Sequence, residues 1–245
     1  MTNSVIENIS KGGLAVLIDP DKVDEILLDI IIQQAVDNAV DFFFVGGSLI
    51  SSNHMDMVVS RLKTVKDIPT ILFPGNSLHV HTEADAILFL SLISGRNPEY
   101  LIGQHVISAP QIKRSGLVSI PTGYMLIDGG SATTASYMSN TTPIPNNKPD
   151  IAAATAMAGE LLGLRCIYLD AGSGALNPVS QEIIKAVNKT VDLPIIVGGG
   201  INTVEKALKA KEAGASVIVI GNATEKNPQF IAEVSKMVFP EKTLR

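Results

Sequence analysis

Eight short apolar runs recur along the chain, and most of the segments between them have the periodicity of amphipathic helices. Most runs are continuous rather than alternating, which is typical of parallel strands covered on both faces. Eight such strands within 245 residues predict an α/β fold, a (β/α)8 or TIM barrel, as a single domain over residues 1–245. A doubly wound open sheet is the alternative. The predicted strands are Leu14–Ile18, Phe42–Val45, Thr70–Phe73, Ala86–Leu90, Tyr124–Asp128, Cys166–Asp170, Ile195–Val197 and Val217–Ile220.

The third helix of the barrel is predicted to be missing or replaced by extended chain. Only twelve residues, beginning Pro-Gly-Asn, separate Phe73 from Ala86, and they are too rich in turn residues for a crossover helix. Its absence would leave a groove in the barrel wall. Pro110 is predicted to divide the fourth helix in two. The other predicted helices are Val23–Asn38, Met55–Lys66, Ile151–Leu162, Gln181–Thr190, Val204–Ala213 and Pro228–Met237.

A polar segment, residues 129–150, follows the fifth strand and is rich in Ser, Thr, Asn and Pro. On a barrel this position predicts a long loop over the catalytic face, where lids usually reside. A mobile surface loop without a role is the alternative.

Three glycine-rich turns come directly after the sixth, seventh and eighth predicted strands: YLDAGSGA at 168–175, GGGI at 198–201 and GNA at 221–223. Glycine lets the backbone approach a ligand and turn its N–H groups inward. Barrels commonly bind phosphate with the loops after strands seven and eight. Together the turns predict a phosphate site, although none is a P-loop, because no Gly-Lys-Ser/Thr follows.

A second polar cluster lies at the ends of the first two strands. Asp19 ends the first strand, where its carboxylate is predicted to point into the barrel mouth, and Ser48 follows a Gly-Gly turn on the next. A carboxylate and a hydroxyl, with the remaining positions left to water and phosphate oxygens, suit Mg²⁺. The alternative for Asp19 is a turn or cap role before Pro20. Asp21 is predicted to cap the first helix, and Lys22 is either a solvated helix residue or a phosphate contact.

Asp170, at the end of the sixth strand, is a candidate general base. It lies two residues after Tyr168, and residues i and i+2 of a strand project to the same side, so both could reach one substrate. A carboxylate beside a bound polyol phosphate can accept a proton from a hydroxyl. The alternative is that Asp170 only accepts hydrogen bonds from the loop it precedes.

Composition argues against several other classes of protein. A net charge of −5 without any Trp does not suit a nucleic-acid binder, and 46% hydrophobic residues exclude a disordered chain. Cys166 is alone, so intramolecular disulfides and cysteine-based zinc clusters are excluded, and a buried core position is predicted for it. With no secretory pattern and no apolar stretch near the ~20 residues of a spanning helix, we expect a cytoplasmic protein. A mean hydropathy of +0.29 favours a homo-oligomer.

The motifs in combination resemble the geranylgeranylglyceryl phosphate synthase family, whose bacterial relatives include heptaprenylglyceryl phosphate synthase. GGGI or GN alone would not be specific. The matching stretches run from residue 17 to residue 223 and are LIDPDK, FFFVGGS, TILFPGNS, PTGY before the fifth predicted strand, NKPDIAAATAMAGE, YLDAGSGA, IIVGGGI and VIVIGNA.

This resemblance implies a modified TIM barrel without helix three and an enzyme of ether-lipid (phospholipid) biosynthesis. The implied reaction is Mg²⁺-dependent transfer of a prenyl group from a polyprenyl diphosphate, geranylgeranyl diphosphate above all, to the 3-hydroxyl of sn-glycerol 1-phosphate. Carried over by motif, Asp19 and Ser48 are metal ligands, and Asp170 and Tyr168 are catalytic. The family usually has glutamate where this chain has Asp170. The implied glycerol-phosphate site is Tyr168, Leu169, Asp170, Ala171, Gly172, Ser173, Gly174, Gly199, Gly200, Gly221 and Asn222.

Two other functions compete with this one. A phosphosugar isomerase or aldolase-type barrel would need a second acid/base or a Schiff-base lysine at a strand end, and no strand end offers an obvious one. A phosphate-binding barrel without catalysis is the non-enzymatic alternative, against which Asp19, Ser48 and Asp170 argue. A prenyl tail is expected to lie in the groove left by the absent helix, and a lipid substrate makes transient membrane contact plausible.

Overall fold

Eight parallel strands form a closed barrel in the computed structural model, which describes residues 2–51 and 54–240. Each strand pairs with its neighbours in chain order, and the first closes against the eighth. The barrel prediction is therefore confirmed and the open sheet is excluded. The strands are β1 (Gly13–Ile18), β2 (Phe42–Val45), β3 (Thr70–Leu72), β4 (Ala86–Leu92), β5 (Val118–Leu126), β6 (Cys166–Asp170), β7 (Ile195–Gly198) and β8 (Val217–Ile220).

Helices cover the outside of the barrel, and within the described residues none is long and apolar enough to cross a membrane. Side-chain caps fix the first turn of four of the described helices, as where Asp24 accepts a 2.8 Å hydrogen bond from the amide of Leu27. The helices are α1 (Thr2–Lys11), α2 (Glu25–Asp37), α3 (Met55–Leu62), α4 (Gln104–Ser115), α5 (Thr134–Ser139), α6 (Pro149–Leu161), α7 (Gln181–Asn188), α8 (Val204–Glu212), α9 (Asn222–Lys226) and α10 (Phe230–Val238).

The strands are buried on both faces, which explains their continuous apolar runs. Phe42 and Phe44 of β2 point into the barrel, whereas Phe43 and Val45 pack in the layer between the barrel and the helices. Both layers are buried and largely apolar, so an apolar residue at any position of such a strand stabilises the fold by its burial. Alternation with polar residues is therefore not needed.

One end of the barrel is closed by α1, an element that the sequence did not predict. Its residues Val5 and Ile9 are buried among the side chains that fill the barrel interior. Because α1 leads directly into β1 at Gly13, it closes the end from which the strands start. The opposite end, where the strands finish, remains open to a ligand.

The third barrel helix is absent, as predicted. Residues 73–85, all of them described, connect β3 to β4 without a helix. By contrast, residues 129–150 are not a simple loop, since they contain α5 and the first residues of α6. A capping box explains where α5 begins: the Thr133 side chain accepts a hydrogen bond from the amide of Ser136, and the Ser136 side chain accepts one from the amide of Thr133.

Two other expectations were wrong. Strand β5 begins at Val118 rather than Tyr124, so the Pro-Thr-Gly-Tyr motif lies within the strand. The whole length of β4 pairs with β5, and this pairing outweighs the poor strand propensity of Pro121.

Pro110 does not divide α4 but lies inside it, at an exposed position where the loss of one backbone hydrogen bond is tolerated. The irregularity comes earlier, as a π-helical turn at Glu99–Gly103.

Candidate active site

A cavity of about 930 Å³ opens at the ends where the strands finish. The turns after β1, β2, β6, β7 and β8 contribute to its wall, so the two polar clusters that lie far apart in the sequence face one space. Of the residues singled out from the sequence, those that line it are Asp19, Ser48, Tyr168, Asp170, Ser173, Gly174, Gly199, Gly200, Gly221 and Asn222.

The three glycine-rich turns converge on one another. The hydroxyl of Ser173, after β6, donates a 3.0 Å hydrogen bond to Oδ1 of Asn222, after β8. Gly199, after β7, has φ +79°, and a Cβ there would lie 2.5 Å from the amide nitrogen of Gly172 and 2.6 Å from Oδ1 of Asp170. Only glycine allows both this backbone conformation and this close approach. The turns can therefore bring several backbone amides to one small anion.

Three residues of the predicted glycerol-phosphate site, Leu169, Ala171 and Gly172, are not among those that line the cavity. Leu169 and Ala171 are buried in the layer between the barrel and the helices, because they alternate with Tyr168 and Asp170 along the strand. The amide of Gly172 donates a 2.7 Å hydrogen bond to Oδ1 of Asp170, so this amide is already used within the protein. Any contact of Leu169 or Ala171 with a ligand has to come from the backbone.

The Asp170 carboxylate is held by two donors and is only 7% exposed. Oδ1 accepts from the Gly172 amide, and Oδ2 accepts a 2.6 Å hydrogen bond from the phenol of Tyr124. Burial raises the pKa of Asp170 above its ordinary value, while the bonds from Tyr124 and Gly172 oppose that rise. Asp170 thus accepts a hydrogen bond from its own loop, which is the structural role considered as the alternative to catalysis. It also lines the cavity, and its carboxylate has a raised proton affinity.

Three aromatic rings adjoin this carboxylate. Phe73 stacks on Tyr168 with centroids 5.0 Å apart and planes 5° apart, and Tyr124 meets both rings edge-on. Burial and the nearby charge of Asp170 raise the pKa values of both tyrosines well above their ordinary values. Both phenols therefore stay protonated and can act as hydrogen-bond donors.

Asp19 and Ser48 both line the cavity, and their carboxylate and hydroxyl oxygens are of the kind that a magnesium ion binds. A Cβ on Gly47 would lie 3.3 Å from the Asp19 carboxylate, so the absence of a side chain there leaves space beside those oxygens. Mg²⁺ usually takes one or two protein oxygens and fills its remaining positions with water and substrate phosphate. No group of three or more His, Cys, Asp or Glu residues suited to a metal occurs in residues 2–51 and 54–240.

The residues around Asp19 also have structural roles. Oδ1 of Asp19 accepts a 3.1 Å bond from the amide of Asp21, which is the turn role considered from the sequence. Asp21 does not cap the first barrel helix, because Asp24 does so. Instead, Oδ2 of Asp21 accepts hydrogen bonds from both the amide and the hydroxyl of Ser51, and so joins the turn after β1 to the segment after β2.

An apolar groove runs from the cavity to the part of the wall where the third helix is absent. Gly47, Ser48 and Phe73 line both spaces and mark their junction. Beyond the junction the groove is lined by side chains of β4, the π-helical turn, α4 and α5, among them Leu88, Leu90, Leu92, Tyr100, Ile112 and Met138. The segment 129–150 therefore contributes to the groove wall through α5.

Sequence reasoning assigned no role to Tyr124, Phe73 or Glu225, all of which belong to this site. Tyr124 and Phe73 were present in the matching motifs PTGY and TILFPGNS. Nothing local in the sequence singled out Glu225, which lines the cavity on α9.

The sequence and the fold of this chain are similar to those of known proteins. The PcrB family pattern matches residues 7–238. Geranylgeranylglyceryl phosphate synthases from Spirosoma linguale and Chitinophaga pinensis are 54% and 53% identical to this chain, covering 93% and 96% of it and 92% and 94% of their own lengths. The crystal structure of (S)-3-O-geranylgeranylglyceryl phosphate synthase from Thermoplasma acidophilum with sn-glycerol-1-phosphate is 31% identical and superposes with a TM-score of 0.88, covering 99% of this chain and 98% of that one. The resemblance to the geranylgeranylglyceryl phosphate synthase family is confirmed. The prediction that the protein is an enzyme of this synthase type is confirmed as well. The chain belongs to the PcrB family.

Proposed function

We propose that this protein is a Mg²⁺-dependent prenyltransferase that joins a polyprenyl diphosphate to the 3-hydroxyl of sn-glycerol 1-phosphate through an ether bond and releases diphosphate. Geranylgeranyl diphosphate is the proposed donor. The observation that carries the proposal is the junction at Ser48 and Phe73, where a polar cavity with converging glycine turns meets an apolar groove. The Thermoplasma acidophilum relative with its bound sn-glycerol-1-phosphate supports the choice of acceptor.

In this mechanism the glycine turns hold the phosphate of the acceptor. Backbone amides of Gly199, Gly200 and Asn222 are suited to this role because the turns after β7 and β8 form the wall there. Fixing the phosphate leaves the 3-hydroxyl to be directed towards Asp170. Orientation of this kind replaces an unfavourable encounter of two substrates by a reaction between positioned groups.

Asp170 accepts the proton of the 3-hydroxyl as the hydroxyl oxygen forms its bond to C1 of the prenyl chain and the bond from C1 to the diphosphate oxygen breaks. Tyr124 and Gly172 keep the carboxylate oriented by their hydrogen bonds. Asp19 and Ser48 would hold Mg²⁺, which when bound supplies the positive charge that makes diphosphate a good leaving group.

The prenyl tail is proposed to occupy the apolar groove, which keeps it away from water. Phe73 and Tyr124 line the groove, and Tyr124 is bonded to Asp170. Together with Tyr168, which stacks on Phe73, these rings would present electron-rich faces near C1 as positive charge develops there. Chain-length preference then depends on the far end of the groove. A homo-oligomer and a transient contact with membranes stay predictions.

The test is to incubate the purified protein with sn-glycerol 1-phosphate, geranylgeranyl diphosphate and Mg²⁺, and to measure ether product and diphosphate. We expect one diphosphate per ether. The enantiomer sn-glycerol 3-phosphate is the matched control for the acceptor, and a series of shorter and longer donors covers the chain length. Absence of any ether with every donor length would contradict the proposal, and acceptor binding without product would favour a non-catalytic barrel.

A further inference from the structure

Lys22 stands between two carboxylates at the wall of the cavity. Its ammonium nitrogen lies 3.1 Å from Oδ2 of Asp19 and 3.9 Å from Oε2 of Glu225. The lysine side chain is 40% exposed, whereas the two carboxylates are only 16% and 12% exposed. The ammonium is therefore held over the cavity by partly buried anions rather than extended into solvent.

The charge of the cavity wall makes this lysine unusual. Among the described residues, five carboxylates line the cavity but only two lysines, Lys22 and Lys226, and of these Lys226 is exposed on α9. A negatively charged cavity repels anionic ligands unless cations are placed at the point of contact. A diphosphate carries more negative charge than one divalent ion neutralises, so a second positive group beside Asp19 is needed on electrostatic grounds.

We propose that Lys22 contacts the diphosphate of the prenyl donor, and that Asp19 and Glu225 hold its ammonium in place for that contact. The inference rests on the proposed function and adds a binding residue to it. A diphosphate beside a metal on Asp19 would lie within reach of Lys22, because the ammonium already touches that carboxylate and ends a flexible four-carbon stem. Glu225 provides the second anchor when Asp19 binds a metal instead.

Loss of the Lys22 charge should have opposite effects on the affinity for a metal ion and on the affinity for diphosphate. A divalent cation competes with the Lys22 ammonium for Oδ2 of Asp19, so loss of the lysine charge favours binding of the metal alone. The same loss removes an attractive contact to diphosphate and weakens its binding. A lysine that only fastened the turn after β1 to α9 would disturb both kinds of binding in the same direction.

The experiment compares the native protein with Lys22→Met, Lys22→Arg and, as a matched control of the same charge change, Lys226→Met. Mn²⁺ binding is measured by electron paramagnetic resonance, and binding of inorganic pyrophosphate with Mg²⁺ present and of sn-glycerol 1-phosphate by calorimetry. For Lys22→Met we expect pyrophosphate affinity to fall by about 10-fold or more, Mn²⁺ affinity to stay equal or rise by up to about 5-fold, and acceptor affinity to stay within 2-fold. Lys22→Arg should recover most of the pyrophosphate affinity, and Lys226→Met should keep it.

Unchanged pyrophosphate affinity in Lys22→Met would overturn the inference, as would a parallel loss of all three affinities or an equal effect of Lys226→Met. The transfer assay on the native protein separates this result from a failure of the proposed function. Ether formation by the native protein together with unchanged pyrophosphate binding in Lys22→Met rejects the role of Lys22 alone. Absence of ether formation rejects the function, and with it the donor contact.

Discussion

The phenol of Tyr124 donates a 2.6 Å hydrogen bond to Oδ2 of Asp170. The two residues lie on adjacent strands, where Tyr124 is paired with Tyr168 and Leu126 with Asp170. This register brings the tyrosine, which also faces the apolar groove, against the carboxylate of the polar cavity. The bond therefore connects the two halves of the proposed site, and it fixes a carboxylate one methylene shorter than the glutamate that the resemblance implies at this position.

Tyr124→Phe is expected to move the acidic limb of the kcat profile to higher pH. The bond from Tyr124 lowers the pKa of Asp170, so its loss leaves burial less opposed and the pKa rises further. A general base works only when deprotonated, so the limb should move to higher pH. Tyr137→Phe, an exposed change of the same kind on α5, is the control. An unmoved limb would remove the role given to Tyr124.

Asp170→Asn is expected to lower kcat by about 10²-fold or more while the affinity for sn-glycerol 1-phosphate changes little. The amide keeps the size of the side chain but cannot take the proton. Asp170→Glu, which keeps the carboxylate on a side chain one methylene longer, should retain measurable turnover. Equal losses of acceptor binding and of rate in Asp170→Asn would indicate a binding role instead of a base.

Asp170→Asn is also expected to change how the free energy of unfolding depends on pH. The pKa of Asp170 is raised in the folded protein, so its contribution to stability is present below the unfolded pKa and is lost as pH rises through the folded pKa. Asparagine has no such titration. The free energy of unfolding of Asp170→Asn relative to the native protein should therefore increase from acid to neutral pH, as measured by urea unfolding. A constant difference would contradict the raised pKa.

Gly199→Ala is expected to lower kcat by about 10-fold or more. Its new Cβ would lie 2.6 Å from Oδ1 of Asp170 and would displace the carboxylate. Gly163→Ala is a matched control, because Gly163 also has a positive φ but has open space where a Cβ would lie. Both variants should lose about 1–2 kcal/mol of stability from backbone strain. Gly199→Ala should lose more than Gly163→Ala, because its Cβ would also lie 2.5 Å from the amide nitrogen of Gly172. Equal activities would show that the position of Asp170 does not depend on Gly199.

Asp19→Asn is expected to abolish metal-dependent turnover and to weaken Mn²⁺ binding strongly, while thermal unfolding changes little. The asparagine oxygen can still accept the bond from the Asp21 amide, so the turn is retained and only the charge is lost. The substitution thereby separates the two roles considered for Asp19. Full turnover in the variant would leave Asp19 with the turn role alone.

Much of the fold could be predicted because burial on both faces of a barrel strand gives a strong local signal. The bounds of Phe42–Val45 and Cys166–Asp170 were predicted without error, as was the missing helix after β3. The start of β5 was missed because Pro121 breaks that signal and only pairing with β4 identifies the strand. The helix α1 was missed because its apolar face, with Val5 and Ile9, is short and is stabilised by the barrel end.

The site was predictable where its chemistry lies at strand ends. Asp19, Ser48, Asp170 and the glycine turns could be predicted to face one cavity because parallel strands finish on one side of the barrel. Their roles stay predictions. Side-chain pairs between distant segments could not be found in this way. The bond from Tyr124 to Asp170 depends on strand register, and the contact of Lys22 with Glu225 depends on how α9 packs beside the turn after β1.

The proposed mechanism requires one anion site after β6, β7 and β8 that presents a hydroxyl of its ligand to Asp170. A crystal structure of this protein with sn-glycerol 1-phosphate bound would show whether the ligand lies in this way. We predict the phosphate against the backbone amides of Gly199, Gly200 and Asn222, with the 3-hydroxyl within hydrogen-bond distance of the Asp170 carboxylate. A phosphate bound elsewhere in the cavity, or a 3-hydroxyl directed away from Asp170, would contradict it.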